Sequence, residues 1–280
     1  MTKQNILITG CSSGIGLCAA KVLHQQGYNV IATVRKASDA APLQKLGIIT
    51  TELELADSES IQRVIDFTLT HFNGHIDGLF NNAAYGQPGA VEDLSRTVLR
   101  EQFETNVFGT QELTNLVIAQ MRKQGHGRII YNSSVLGIIS MAYRGAYNAS
   151  KYALEGLADT LRQELHGSNI HISLIEPGPI LSQFRANAFA KYQQNIDKES
   201  SAHQETYHVM EQRLTKQGPA APFTLPAEAV VKKLIHALES KRPKIRYYVT
   251  FPTYLFATLK RLLPHRALDW VLIKISQSEN

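Results

Sequence analysis

Short apolar runs alternate with longer segments in which apolar residues return every three or four positions, and the alternation holds from the first residues to about position 182. Brief apolar runs bounded by turn residues predict buried strands, and helical periodicity predicts amphipathic helices. On this reading strands fall at Asn5 to Thr9, Asn29 to Val34, Ile48 to Leu55, Ile76 to Asn81, Gly127 to Ser133 and Ile170 to Glu176. Helices fall at Gly16 to Gln26, closed by Gly27, at Ser58 to Phe72 with Asp57 as N-cap, at Thr97 to Lys123 and at Tyr147 to His166. The repeated βα order predicts an α/β fold: a doubly wound parallel sheet between two layers of crossover helices.

The texture then changes. Residues 183–225 are polar, rich in Gln and Ala, and end in Pro-punctuated sequence, which predicts an inserted helical lid followed by a loop. Ala227 to Ser240 has clean helical spacing, Arg246 to Thr250 fits a last strand, and Tyr254 to Ile275 reads as two helices split by Pro264. We expect one domain over 1–280: a core at 4–182, a lid at 183–225 and a helix, strand and tail at 226–280.

Composition narrows the class. The chain has 280 residues, 44% hydrophobic, with a formal charge of +5, enough apolar material for a proper core and too much for a disordered chain. No apolar stretch approaches the roughly 20 residues of a membrane-spanning helix. Cys11 and Cys18 show no disulfide framework, and the chain opens directly into a strand without a basic-then-apolar leader, so a cytoplasmic location is expected.

Thr9-Gly10-Cys11-Ser12-Ser13-Gly14-Ile15-Gly16 stands at the first strand-to-helix junction. Glycines there allow a tight turn and bring backbone amides close to a phosphate at the helix N-terminus, which points to a dinucleotide. No Gly-Lys-Ser/Thr follows, so it is not a P-loop. The second strand ends in Arg35-Lys36 with no acid, and a cation there grips a 2′-phosphate that a carboxylate would repel, favouring NADP(H), with NAD(H) as the alternative. The plainer reading of Arg35 and Lys36 is a solvated loop.

Tyr147 and Lys151 lie four apart on one helical face, and a neighbouring cation favours the phenolate of a tyrosine that must trade protons near neutrality. Ser133-Ser134 ends the preceding strand at the edge of the sheet where ligands of open α/β folds bind. With Asn81-Asn82-Ala83-Ala84, Asn106 and Pro177-Gly178, these motifs resemble the short-chain dehydrogenase/reductase family in order and spacing across residues 4–182. The first turn and the Ala-Thr-Val-Arg segment look most like its NADP-preferring hydroxysteroid and retinol dehydrogenase-like branch, and 246–269 is similar to a bacterial group of that branch regarded as aldehyde reductases.

The resemblance implies a Rossmann-type fold and a set of roles. Tyr147 is the general acid or base, Ser134 polarises the substrate carbonyl, and Lys151 lowers the Tyr147 pKa and holds the nicotinamide ribose. Asn106 holds a water that extends the proton relay. Gly10, Ser12, Ser13, Gly14, Ile15 and Gly16 cradle the pyrophosphate, Asn82, Ala83 and Ala84 line the cofactor, and Pro177, Gly178, Ile180 and Ser182 bind near the carboxamide. Glu54-Leu55 replaces the Asp-apolar pair expected to contact adenine, and Ser182 replaces a threonine. A homodimer or homotetramer is implied through the two long helices.

The remaining features weigh less. His71 and His75 have metal-like spacing, but Gly74 interrupts them and a solvated helix end is the simpler reading; no metal is expected. Cys11 reads as a small residue fitting the turn, and Glu155 and Glu164 as charges facing solvent or a partner subunit. The tail crowds Tyr247, Tyr248, Phe251, Tyr254, Phe256 and Trp270 beside Lys260, Arg261 and Arg266. Core or lid packing, peripheral attachment to a membrane and an oligomer contact all remain open for it. Lys232 to Lys274 holds ten Lys or Arg against two acids, a local +8 that leaves −3 elsewhere. Nucleic acid is not an expected partner, since no recognition motif accompanies the bases. The expected function is NADPH-dependent reduction of a lipophilic aldehyde or ketone. The alternatives are oxidative, NAD-linked alcohol dehydrogenation and a non-catalytic dinucleotide-binding regulator.

Overall fold

The computed structural model describes residues 4–219 and 221–278; Met1 to Lys3, Ala220, Glu279 and Asn280, which include the start of the opening segment and one residue of the expected loop, lie outside the described residues. Strands β1 (Asn5–Ile8), β2 (Asn29–Val34), β3 (Ile49–Glu52), β4 (Gly78–Asn81), β5 (Gly127–Asn132), β6 (Ile170–Glu176) and β7 (Arg246–Tyr248) form one parallel sheet in the order β3-β2-β1-β4-β5-β6-β7. The chain runs outward from β1 to β3, returns to β4 and then runs the other way. This reversal opens a crevice at the carboxyl ends of β1 and β4, where open α/β sheets bind ligands.

Successive strand residues face opposite sides, and the two sides fill separately. Ile6 and Ile8, with Val30, Ala32 and Val34, pack toward helices α1 (Gly14–Gln25) and α9 (Glu228–Glu239). Leu7, Ile31, Leu79 and Ile129 pack toward α3 (Ser58–His71), α5 (Thr110–Gln124) and α6 (Gly145–Glu164). The result is the three-layer, single-domain arrangement that the alternation predicts. Asp57 caps α3, accepting from the Glu59 amide at 3.0 Å, as the sequence suggests.

Three local expectations change. The helix expected at 97–123 is α4 (Arg96–Phe103), a wider π-type turn over Glu104–Gly109 and then α5. Gly109 lies so close to the Leu55 carbonyl that a Cβ would stand 1.7 Å from it, and a π turn hardly disturbs hydrophobic periodicity, so nothing in the spacing reveals it. The third strand is only four residues long because β3 is an edge, leaving Ile49 exposed. A short α2 (Ala41–Gln44), with Pro at its start, precedes it unannounced.

The region after β6 supplies α7 (Phe184–Asn195) and α8 (Gln204–Thr215), which share a small core with Ala90, Leu94 and Val98. Two helices, α10 (Phe251–Leu262) and α11 (His265–Ser278), follow β7 and are separated at Pro264. Among the described residues no helix is long and apolar enough to cross a membrane.

Candidate active site

The glycine turn is bound to its surroundings from both sides. Gly10 has φ +70°, and a Cβ there would meet the Ala83 Cα at 2.9 Å; at Gly16 it would meet the Gly10 carbonyl at 2.1 Å. No side chain fits at either position without moving backbone. Asn82 closes the same joint: its Nδ2 donates to the carbonyls of Thr9 (3.0 Å) and Gly10 (3.1 Å), and its Oδ1 accepts from Asn132. The Ala83 amide donates to the Thr9 hydroxyl. Thus Asn82 and Ala83 brace the turn directly.

Helix α1 begins at Gly14, two residues earlier than its periodicity suggests, and its N-cap Ser13 supplies no side-chain hydrogen bond. The amides of the first turn point into the crevice, where the positive end of the helix dipole favours an anion. Ser182 closes from above, its Cβ 3.0 Å from where a Gly14 Cβ would stand. A cradle of glycine backbone and an uncapped helix end fits the pyrophosphate of a dinucleotide. Ser12 is exposed beside it. Cys11 is buried, its thiol donates to the Ile8 carbonyl and burial raises its pKa, so it is an inert turn residue.

At the end of β2, exposed Arg35 shares a cavity of about 310 Å³ with Glu52, Glu54, Asp57, Ser60 and Arg63. Lys36 is exposed outside that lining. Glu54 turns one carboxylate oxygen to the Ala56 amide. Leu55 turns its side chain into the core beneath the sheet, and its carbonyl abuts Gly109. Ile180 likewise packs against the core, while its neighbours Pro179 and Leu181 pair with the backbone of Leu225. Pro177 accepts from the Val135 amide, and Gly178 lies against Thr250, where a Cβ would come within 2.1 Å of its hydroxyl. Ala84 is half-buried on the same segment as Asn82.

Ser134, Tyr147 and Lys151 converge at the carboxyl end of β5. Ser134 accepts the Leu136 amide at 3.1 Å, which fixes the turn that aims its hydroxyl, and it hydrogen-bonds Tyr147. Ser133 faces away, beside Gly137 and Glu155. Lys151 is 2% exposed, donates to the Asn132 carbonyl at 2.7 Å and places Nζ 5.6 Å from the centroid of the Tyr147 ring. The expected lowering of the Tyr147 pKa is reversed here. Burial pushes the phenol up to about 12, with the Ser134 hydrogen bond opposing, and brings Lys151 down to about 8, with Glu155 opposing.

Asn106 sits in the π-type turn, fully buried. Its Nδ2 donates to the Tyr85 carbonyl (2.9 Å) and to Ser150 Oγ (3.1 Å), and its Oδ1 accepts the Tyr85 amide. The side chain is therefore committed to protein partners, leaving its main chain as the group able to hold a water.

An apolar wall adjoins Tyr147. Phe184 lies 5.2 Å away ring to ring, and a cluster of Leu136, Ile139, Met141, Phe256, Leu268 and Leu272 packs from the tail side. The tail thus divides: Tyr247 and Phe256 are buried, whereas Phe251, Tyr254 and Trp270 remain exposed.

Glu155 overturns its sequence reading as a surface charge, while Glu164 is exposed as expected. Buried one turn beyond Lys151, Glu155 pairs with Arg246 of β7, which also binds Glu176 at 2.6 Å and Asp159 at 2.7 Å. The sequence reading places Glu176 and Arg246 only as strand ends and gives them no part in the site. The available signal is an acid closing the apolar strand before Pro177, with an arginine in the short last strand as its only natural counterpart.

A family model described as short chain dehydrogenase matches residues 4–193. The chain is 42% identical over 270 residues to the uncharacterized oxidoreductase YbbO of Escherichia coli K12, covering 96% of this chain and 94% of that one. It is 31% identical over 269 residues to human retinol dehydrogenase 8, covering 92% and 85%. The crystal structure of a short-chain dehydrogenase from Streptomyces avermitilis superposes with TM-score 0.79 at 27% identity over the whole of both chains. One from Burkholderia phymatum in complex with NAD does so with TM-score 0.77 at 24% identity, over 93% and 92%. The motifs of the crevice and the extent of these matches agree, and the chain belongs to the short-chain dehydrogenase/reductase family, an oxidoreductase family with retinol and hydroxysteroid dehydrogenases among its relatives.

Proposed function

We propose that this protein uses NADP(H) to reduce a lipophilic aldehyde or ketone to its alcohol. The observation that carries the reading is the meeting of Ser134, Tyr147 and Lys151 beside a glycine cradle shaped for a dinucleotide. When bound, the cofactor supplies hydride to the substrate carbon.

The chain's own residues handle orientation and the proton. Ser134 hydrogen-bonds the substrate oxygen and sets its approach. Tyr147, kept protonated by burial, donates its phenolic proton to that oxygen as it gains charge. The Lys151 ammonium stabilises the phenolate left behind and holds the ribose hydroxyls, its own direction fixed by the Asn132 carbonyl. A water on the Asn106 main chain returns a proton toward the pair. Ser12, Ser13 and the first-turn amides hold the pyrophosphate, Arg35 the 2′-phosphate, and the backbone near Ile180 the carboxamide. Phe184 and the Ile139, Met141 and Phe256 wall exclude water and accept an apolar substrate. A retinol dehydrogenase among the relatives supports that substrate class.

A second reading has its own support: Glu52, Glu54 and Asp57 around Arg35 suit ribose hydroxyls better than a phosphate, as in NAD-linked alcohol oxidation. The test follows nicotinamide absorbance across aldehydes, ketones, steroids, retinoids and sugars with each cofactor in each direction. We expect fastest turnover with NADPH and apolar carbonyls. Activity confined to small polar carbonyls, or to NAD with alcohols, refutes the first reading.

A further inference from the structure

The acids below Lys151 are unused by the mechanism above, and their arrangement is specific. Three carboxylates surround one guanidinium: Arg246 Nη1 meets Glu155 and Glu176, and Nη2 meets Asp159. Glu176 is fully buried and Glu155 is 7% exposed, while one oxygen of each, Glu155 Oε1 and Glu176 Oε2, lacks a hydrogen-bond partner among the described residues. Asp159 is half-exposed and also pairs with Arg162 at 2.5 Å, so the two buried carboxylates, Glu155 and Glu176, share the Arg246 guanidinium and their mutual repulsion favours a proton on that pair. Burial and the Glu155 charge push the Glu176 carboxyl up to about 8, which favours Glu176 as its holder. Burial raises the Glu155 carboxyl as well, while its neighbours Ser133 and Arg246 oppose this and favour its charged form.

Lys151 lies one turn before Glu155 on α6, a spacing that places side chains of the same helical face next to each other. Among the described residues its one hydrogen-bond partner is a neutral carbonyl. A buried ammonium bonded only to a carbonyl loses its proton easily, yet the proposed chemistry needs the charged form. The groups facing this line of charges are Tyr147, Asp159 and Arg162 from α6, Ser133 at the end of β5, Glu176 from β6, Arg246 and Tyr248 from β7, and Arg261 from α10. Among them Glu155 is the anion that acts on Lys151.

We propose that Glu155 is a positioning residue, the fixed counter-charge that keeps Lys151 in its ammonium form, and that Arg246 and protonated Glu176 keep Glu155 ionised for that task. A charge line thereby runs from the last strand, through the sheet edge, to the lysine of the crevice. It rests on the reading above only in giving Lys151 a catalytic use.

The test reads the lysine itself. In full-length protein carrying isotope-labelled lysine, with the Lys151 side-chain signal assigned through Lys151→Arg, NMR titration follows its deprotonation without turnover. In the wild type Lys151 deprotonates near pH 8. Glu155→Gln lowers the protonated fraction at a given alkaline pH by about tenfold, and Glu155→Asp, the gentler change should the amide variant not fold, moves it part of the way in the same direction. The alkaline limb of kcat against pH moves with it, a response that mere loss of packing does not produce. Unchanged titration in either folded variant overturns the proposal. A protein that reduces no carbonyl but shows the shift refutes the catalytic reading and keeps the counter-charge.

Discussion

The two halves of the sheet solve different problems. From β1 to β3 the crevice is made of backbone: glycines, helix amides and the Asn82 amide clamp, with charge entering only through exposed Arg35 and its neighbours. From β5 to β7 it is made of side chains whose charges are buried and mutually dependent. Backbone geometry tolerates almost no change of shape but is indifferent to pH. Buried charge tolerates changes of shape but shifts with every proton. Variants on the first side should therefore alter cofactor affinity, and variants on the second should alter turnover and its pH dependence.

The largest effect belongs to the second side. Tyr147→Phe removes the proposed proton donor while keeping the ring against Phe184, so kcat falls by about 10³-fold, within the range of general acid catalysis. Cofactor affinity, read by fluorescence titration, stays within about threefold. A loss of affinity matching the loss of kcat would dissolve the distinction between the halves.

Gly16→Ala is the counterpart on the first side. Its Cβ would collide with the Gly10 carbonyl and the Asn82 amide, and the backbone must open to admit it. We expect cofactor affinity to weaken by about 100-fold, with stability lower by roughly 1–3 kcal/mol in thermal melts. An alanine variant that binds normally would mean that the cradle is not where the cofactor docks.

The same division explains what was legible in the chain. The glycine turn, Tyr147 with Lys151, and the strand pattern are local signals, each carried by a few adjacent residues and a single periodicity. The π-type turn at Asn106 leaves that periodicity nearly intact, and β3 looks buried because sequence does not say which strand becomes an edge. The Glu155, Glu176 and Arg246 cluster joins residues up to 91 positions apart, and a glutamate on a helix has the same letter whether it faces water or a buried guanidinium. Leu55 shows the same non-local dependence, its side chain serving the core while its carbonyl faces Gly109. The fold was therefore read nearly whole, and the site only where its chemistry is local.

The buried charges also give a stability signature. Glu176 keeps its proton to about pH 8 in the fold but, with its ordinary value of 4.5, loses it far sooner when unfolded. Between those values the folded chain binds the extra proton, so its stability is full below about pH 4.5, as far as this group is concerned, and declines as pH rises toward 8. The melting temperature should drop by roughly 5 °C between pH 6 and 8.5, and Glu176→Gln, neutral at every pH, should flatten that slope. An equal slope in the variant would place the proton elsewhere.

The smallest effect is the most discriminating for the cofactor. Arg35 stands exposed, and among the described residues it forms no ion pair, so its removal disturbs little of the fold. Its guanidinium suits bidentate contact with a phosphate, whereas Glu52, Glu54 and Asp57 in the same cavity repel one. The net choice between the two dinucleotides thus hangs on Arg35 set against three acids, of which Asp57 already pairs with Arg63. Arg35→Ala should raise KM for NADPH by about tenfold and leave KM for NADH within about twofold, with kcat unchanged for either. Equal changes for both cofactors would reduce Arg35 to a shaping role in the loop after β2. An NADH preference already present in the unaltered protein would show that the acids prevail, and the backbone half would then bind NAD while the charged half ran the same proton chemistry.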